Sequence, residues 1–174
     1  MLIKDAAANA ADELLRAYWP ERTFPVDPFA LAHRLGVDTR LVVMEDGVSG
    51  MVVANQDGQD SGLQATIFVD STHVAQRRAF TCAHELGHYA ERVLTSRQGE
   101  ESFAFVDRRT SRSDAHEFYA NEFAGNLLMP ADEVARLEKQ GASTAEMARH
   151  FGVSIPAMDV RLRRLELDAR VRGQ

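Results

Sequence analysis

The chain has 174 residues, 45% of them hydrophobic and 26% charged, fractions ordinary for a globular protein of one domain whose core needs no crosslink to hold it. A single cysteine, Cys82, rules out a disulfide framework within the chain. A net charge of −6, from 20 basic and 26 acidic residues, makes the chain as a whole a poor match for a phosphate backbone, while leaving room for a small basic patch.

The first stretch, Asp5 to Trp19, sets Ala7, Ala11, Leu14, Leu15 and Tyr18 at helical spacing and ends at Pro20. Its acidic residues Asp5, Asp12 and Glu13 break any apolar run, so it reads as neither a signal peptide nor a membrane span, and the expected compartment is the cytoplasm. Asp27 followed by Pro28 reads as an N-cap and first helical position, with the short helix stopping at Gly36. Three β-like runs follow: Thr39 to Met44, Gly50 to Ala54, and Thr66 to Val69 after a polar loop from Asn55 to Gly62. They predict a small, mostly antiparallel, three-stranded sheet. A helical pattern then runs from Thr72 to about Leu94. The polar stretch Thr95 to Ser113 reads as a long loop, with one strand-like run at Phe103 to Val106. Ser113 fits an N-cap for a helix over Asp114 to Met129, which Pro130 closes. Ala131 to Gln140 forms the next helix, and Ser143 caps a final helical pair, Thr144 to His150 and Pro156 to about Ala169. The expected class is α+β: a domain over 1–142, with a helix-turn-helix-like segment over 143–174 packed on it.

The chemistry concentrates in His84-Glu85-Leu86-Gly87-His88. On a helix, residues four apart share one face about 6 Å apart along the axis, so His84 and His88 can direct both imidazoles at one ion. Glu85 is offset by about 100° and can reach a water on that ion rather than the ion itself. Zinc makes such a water acidic, and a neighbouring carboxylate can take its proton. A catalytic zinc site needs a third protein ligand. Glu117 and Asn121, four apart on the second strong helix, suit the parts of ligand and of hydrogen-bond acceptor that orients an imidazole. Glu122 is a rival ligand, about 140° round the helix from Glu117, and His116 is another. Ala120, Ala124 and Gly125 would let the two helices approach closely.

HELGH, followed after a polar loop by EFYANEFAGNLLMP, resembles the ImmA/IrrE family of metallopeptidases, whose second helix follows an ExEANxFAxxLLMP-like pattern. Glu117 stands at the first Glu of that pattern, the metal ligand the resemblance implies. Ala120-Asn121, Phe123-Ala124 and Leu127 to Pro130 match the rest, and Tyr119 departs from it, standing where the family often has a second Glu. The resemblance implies a zincin-like single domain, a bound Zn2+ and cleavage, inside the cell, of repressors of the XRE type in stress response or mobile-element regulation.

Other residues have plainer readings. Cys82 reads as a small buried thiol, and His33, His73 and His150 as surface or helix-end histidines, with His73 near enough in sequence to approach the site. Tyr89, His116 and Tyr119 are candidate donors for a developing oxyanion. From Arg149 onward six arginines face Asp159, Glu166 and Asp168, a local balance of +3. That patch could contact DNA or a repressor, but reads better as part of a closing helical pair, since one such unit without a dimerisation element binds DNA weakly.

The expected protein is thus a zinc-dependent endopeptidase: His84, His88 and Glu117 hold the ion, Glu85 moves the proton, and Asn121 orients a ring. Imidazole plus carboxylate suits zinc well, with manganese and iron left open. Thr66 to Val69 is the expected edge strand for an extended substrate. The rival reading is a non-catalytic metal-binding regulator that acts through its closing arginines.

Overall fold

The computed structural model describes residues 2–54, 65–95, 104–108 and 115–172, with the backbone alone for 93–95, 104–108 and 167–172. The stretch 55–64, the Phe103 position and the Ser113 cap therefore lie outside the described residues.

Helix α1, Ile3–Tyr18, buries Ala7, Ala10, Ala11 and Leu15 on one stripe, small side chains that let a neighbouring helix lie close. Helix α2, Pro28–Arg34, begins as its sequence requires. The Asp27 carboxylate accepts from the Phe29 and Ala30 amides at 2.9 and 3.3 Å, and Pro28 occupies the first turn. Gly36, at φ 73°, carries the chain out of that helix.

The sheet comprises β1 (Val37–Val42), β2 (Val48–Ala54), β3 (Ala65–Asp70) and β4 (Ala104–Arg108), in the order β1-β3-β2-β4. The three expected strands are present, and the apolar run within the long polar stretch adds the fourth by pairing with the remaining side of β2. β3 runs antiparallel to β2 and parallel to β1, and β4 runs antiparallel to β2. Thr66 to Val69, expected as an edge strand, belongs to no edge: it lies inside β3, with β1 on one side and β2 on the other. All but one of the residues of β3 are buried. Its unbroken run Ala65-Thr66-Ile67-Phe68-Val69 is the pattern of a strand covered on both faces, not the alternation of an exposed one. Among the described residues the sheet's edges are β1 and β4.

Helix α3, Ala75–Thr95, packs on β2, β3 and α4, Ala115–Leu128, and α1 packs on α4. The close approach of α3 and α4 comes from a residue not expected for it. A Cβ on Gly87 would sit 2.9 Å from the Ala120 Cα and 3.2 Å from the Ala120 carbonyl oxygen, whereas a Cβ on Gly125 would meet nothing within 4 Å. Gly87 in contact with Ala120, and not Gly125, sets the separation.

Pro130 ends α4 and precedes α5, Ala131–Lys139. Helix α6, Thr144–Phe151, opens with a capping box. Ser143 Oγ accepts from the Glu146 amide and the Glu146 carboxylate accepts from the Ser143 amide at 2.8 Å. Gly152, at φ 65°, turns the chain into α7, Ile155–Arg172. Met147, Phe151 and Met158 of this closing pair belong to the same buried cluster as Leu31, Leu86 and Leu127. No helix among the described residues is long and apolar enough to cross a membrane.

The two helix glycines predict opposite signs. Glycine to alanine inside a helix gains up to about 1 kcal/mol from propensity, but overpacking against backbone costs about 1–3 kcal/mol. Gly87→Ala should therefore lower the urea midpoint of unfolding, and Gly125→Ala should raise it. Equal shifts for the two variants would show that Gly87 does not set the helix spacing.

Candidate metal centre

Every residue from Thr81 to Ala90 is buried, and the faces of α3 divide the work among them. Cys82, Leu86 and Tyr89 enter the core. Thr81 and Glu85, four apart, face β2 at Gly50, and Gly87 faces α4. His84 and His88, also four apart, bring their rings together edge to face with centroids 4.7 Å apart.

Glu117 completes the group. Its Oε2 lies 3.2 Å from His84 Nε2, its Oε1 lies 3.2 Å from His88 Nε2, and the two Nε2 atoms are 3.1 Å apart. Among the described residues these three form the one cluster with metal-ligating geometry. The fit to a cation can be tested on the distances. Ligand bonds of about 2.0–2.1 Å in a tetrahedron put neighbouring donors about 3.3 Å apart, close to the spacing found here.

Protonation supports the same fit. Asn121 Oδ1 lies 3.2 Å from His84 Nδ1. An amide oxygen only accepts, so Nδ1 carries the proton and donates. With the proton on Nδ1, Nε2 is the nitrogen that faces another imidazole and a carboxylate, the orientation a metal-binding imidazole needs. His88 is 1% exposed. Burial, and then the neighbouring His84, push its pKa down to about 4, against the pull of Glu117. The Glu117 carboxyl is held below its ordinary range by the His84 and His88 rings. Glu117 itself is 36% exposed, so the group has a side open to solvent.

The rival ligands point elsewhere. Glu122 Oε1 lies 3.4 Å from Arg164 Nη1 on α7. His116 Nδ1 lies 3.0 Å from Glu91 Oε2, and its ring is half exposed. Two of the three candidate donors are turned into the core. Tyr119, about 200° round α4 from Glu117, stacks on Phe123, and burial pushes its pKa up to about 12. Tyr89 is 6% exposed within the core cluster, its phenol pKa raised by burial. His116 stays at the rim, close enough for its charge to act on His88.

The remaining histidines and the thiol lie outside the group. His33 is exposed. His73 lies 3.8 Å from the Asp70 carboxylate. His150 lies 2.8 Å from Glu133 and rests on the Phe24 ring. Cys82 is fully buried, and burial raises its thiol pKa well above the ordinary value. Two of the closing arginines, Arg161 and Arg164, are engaged within the fold. Buried Arg161 donates to the Met129 carbonyl at 3.0 Å and to Asn126 Oδ1 at 2.8 Å, tying α7 to the end of α4. Arg164 faces Glu122 and lies over the Phe118 ring. Sequence reasoning missed Gly50, which abuts Glu85, and Glu91, the partner of His116. A glycine within the strand-like run Val48-Ser49-Gly50-Met51 was the available signal for the first.

Two outcomes follow from this geometry. Replacing Asn121 by leucine removes the acceptor that fixes the His84 tautomer, and should weaken zinc affinity about 10–100-fold, measured by competition with a chromophoric chelator. For the metal-free chain the sign with pH is fixed by the downward shift of His88. Between its ordinary value of 6.5 and about 4 the unfolded state binds more protons, so stability is full above that window and falls on acidification through it. The lowered Glu117 value acts in the same direction at lower pH. The urea midpoint should be lower at pH 5 than at pH 7, and an unchanged midpoint would contradict the burial of an uncharged His88.

No curated protein matches the chain. The family model described as the IrrE N-terminal-like domain matches residues 32–163, a span that holds the sheet, both helices of the metal centre and most of the closing pair. The chain therefore belongs to the Peptidase_M78 family of metal-dependent peptidases.

Proposed function

We propose that this chain is a zinc-dependent endopeptidase that acts in the cytoplasm on a transcriptional repressor carrying a helix-turn-helix of the XRE type. The observation that carries the reading is the convergence of His84, His88 and Glu117 at 3.1–3.2 Å, beside a fully buried Glu85. His84, His88 and Glu117 would hold the ion, which when bound supplies a Lewis acid to the scissile carbonyl and acidifies water.

The side chains then divide the reaction. Asn121 keeps the proton of His84 on Nδ1, so that Nε2 is free to bind metal. Glu85 takes a proton from the attacking water and passes it to the amide nitrogen as the C–N bond breaks, so hydrolysis ends with one carboxyl and one amine and Glu85 as it began. His116, steadied by Glu91 and half exposed, is the donor suited to the carbonyl oxygen as it gains charge. An extended substrate would add to β4, the edge strand next to β2, since β2 is the strand that touches Glu85.

The repressor as substrate rests on the likeness to the ImmA/IrrE peptidases. The regulator reading, in which the closing arginines bind DNA, is disfavoured by Arg161 and Arg164, whose guanidinium groups are held by α4.

The test is incubation of the zinc-loaded protein with the repressor encoded beside its own gene. Wild type should cleave it, Glu85→Gln should retain zinc and lose cleavage, and His116→Ala should lower kcat by about 10²-fold. Cleavage at the wild-type rate by Glu85→Gln would remove the proposed mechanism.

A further inference from the structure

We infer that Gly50 is a positioning residue for Glu85, so that strand β2, and not α3 alone, sets where the proposed general base sits. The inference rests on the peptidase reading. It starts from an irregularity in the sheet. Val48 pairs with Arg108 and Met51 with Val106, so between these pairs β2 carries one residue more than β4. This is a bulge, which bends a strand locally and re-aims what it carries. The extra residue falls at Ser49-Gly50, and Arg77 of α3 donates to Ser49 Oγ at 3.2 Å, fastening the bulge to the helix.

At that point the strand meets the side chains of α3. A Cβ at position 50 would lie 2.5 Å from Thr81 Cγ2, 3.0 Å from Glu85 Oε1 and 3.2 Å from Glu85 Cγ. Gly50 has no positive φ, unlike Gly36, Gly47, Gly141 and Gly152. Its backbone is therefore one that other residues adopt, and the demand for glycine is a demand for space. That space is occupied by the Thr81 methyl group and the Glu85 side chain. With Glu85 fully buried, the carboxylate has the β2 backbone as one wall, and any side chain at 50 pushes that wall inward.

Two clashes are combined in this contact, and they separate by mutation. Thr81→Ser deletes the methyl group that a new Cβ would strike hardest, and leaves the contact with Glu85. Gly50→Ala should bind zinc with unchanged affinity, lower the melting temperature and reduce kcat about 10–100-fold with little change in KM, the scale expected when a reacting group moves by about 1 Å. Gly50→Ala combined with Thr81→Ser should recover the melting temperature but not kcat. A crystal structure of the zinc-loaded double variant should show the Glu85 carboxylate displaced relative to the two imidazoles. Recovery of kcat along with stability, or an unmoved carboxylate, would make Gly50 a packing residue only and overturn the inference. Failure of the wild type to cleave any repressor or unfolded protein would instead overturn the peptidase reading, and this inference with it.

Discussion

The candidate metal centre depends on one contact between backbones. Helices α3 and α4 touch where Gly87 faces Ala120, with no room for a single carbon between them. Ala120 lies three residues after Glu117 and one before Asn121, so the approach that brings Ala120 against α3 also carries the Glu117 carboxylate to both imidazoles and the Asn121 oxygen to His84. A wider separation would leave two buried imidazoles without a carboxylate, an arrangement costly in a core.

Around this contact α4 has a use on each side, which explains why its apolar residues are not confined to one stripe. Glu117 and Asn121 face the rings. Tyr119, Phe123 and Leu127 enter the core. Glu122 and Asn126 meet α7 through Arg164 and Arg161. The closing pair of helices is thereby tied to the C-terminal end of the ligand helix. Arg161 donates to the Met129 carbonyl, one of the groups that a helix end leaves without an internal partner. Two of the arginines behind the local positive charge, Arg161 and Arg164, thus hold α4 in place.

The sheet contributes a wall. β3 is buried between its neighbours, and β2 presses its glycine against Thr81 and Glu85. Helix α3 therefore has one face for the Glu117 cluster, one for α4, one for the core and one for the sheet, and Glu85 lies on the face toward the sheet. This division explains how His84 and Glu85, adjacent in sequence, serve different partners.

Much of this was legible in the chain itself. The HELGH spacing, the Asp27 and Ser143 caps and the terminators Gly36 and Pro130 act over three or four residues, within one turn of helix, and neighbours in sequence suffice to specify them. The same locality made Glu117 and Asn121 a pair on one face. Which of Glu117, Glu122 and His116 would meet the imidazoles, whether Tyr119 faced the ion or the core, that Thr66 to Val69 was interior, and that Gly50 made room for Glu85 were decided by tertiary structure. Each depends on which surfaces of separate elements meet and how closely. That is set by the volume and partners available across the whole core, and no periodicity within a single segment encodes it.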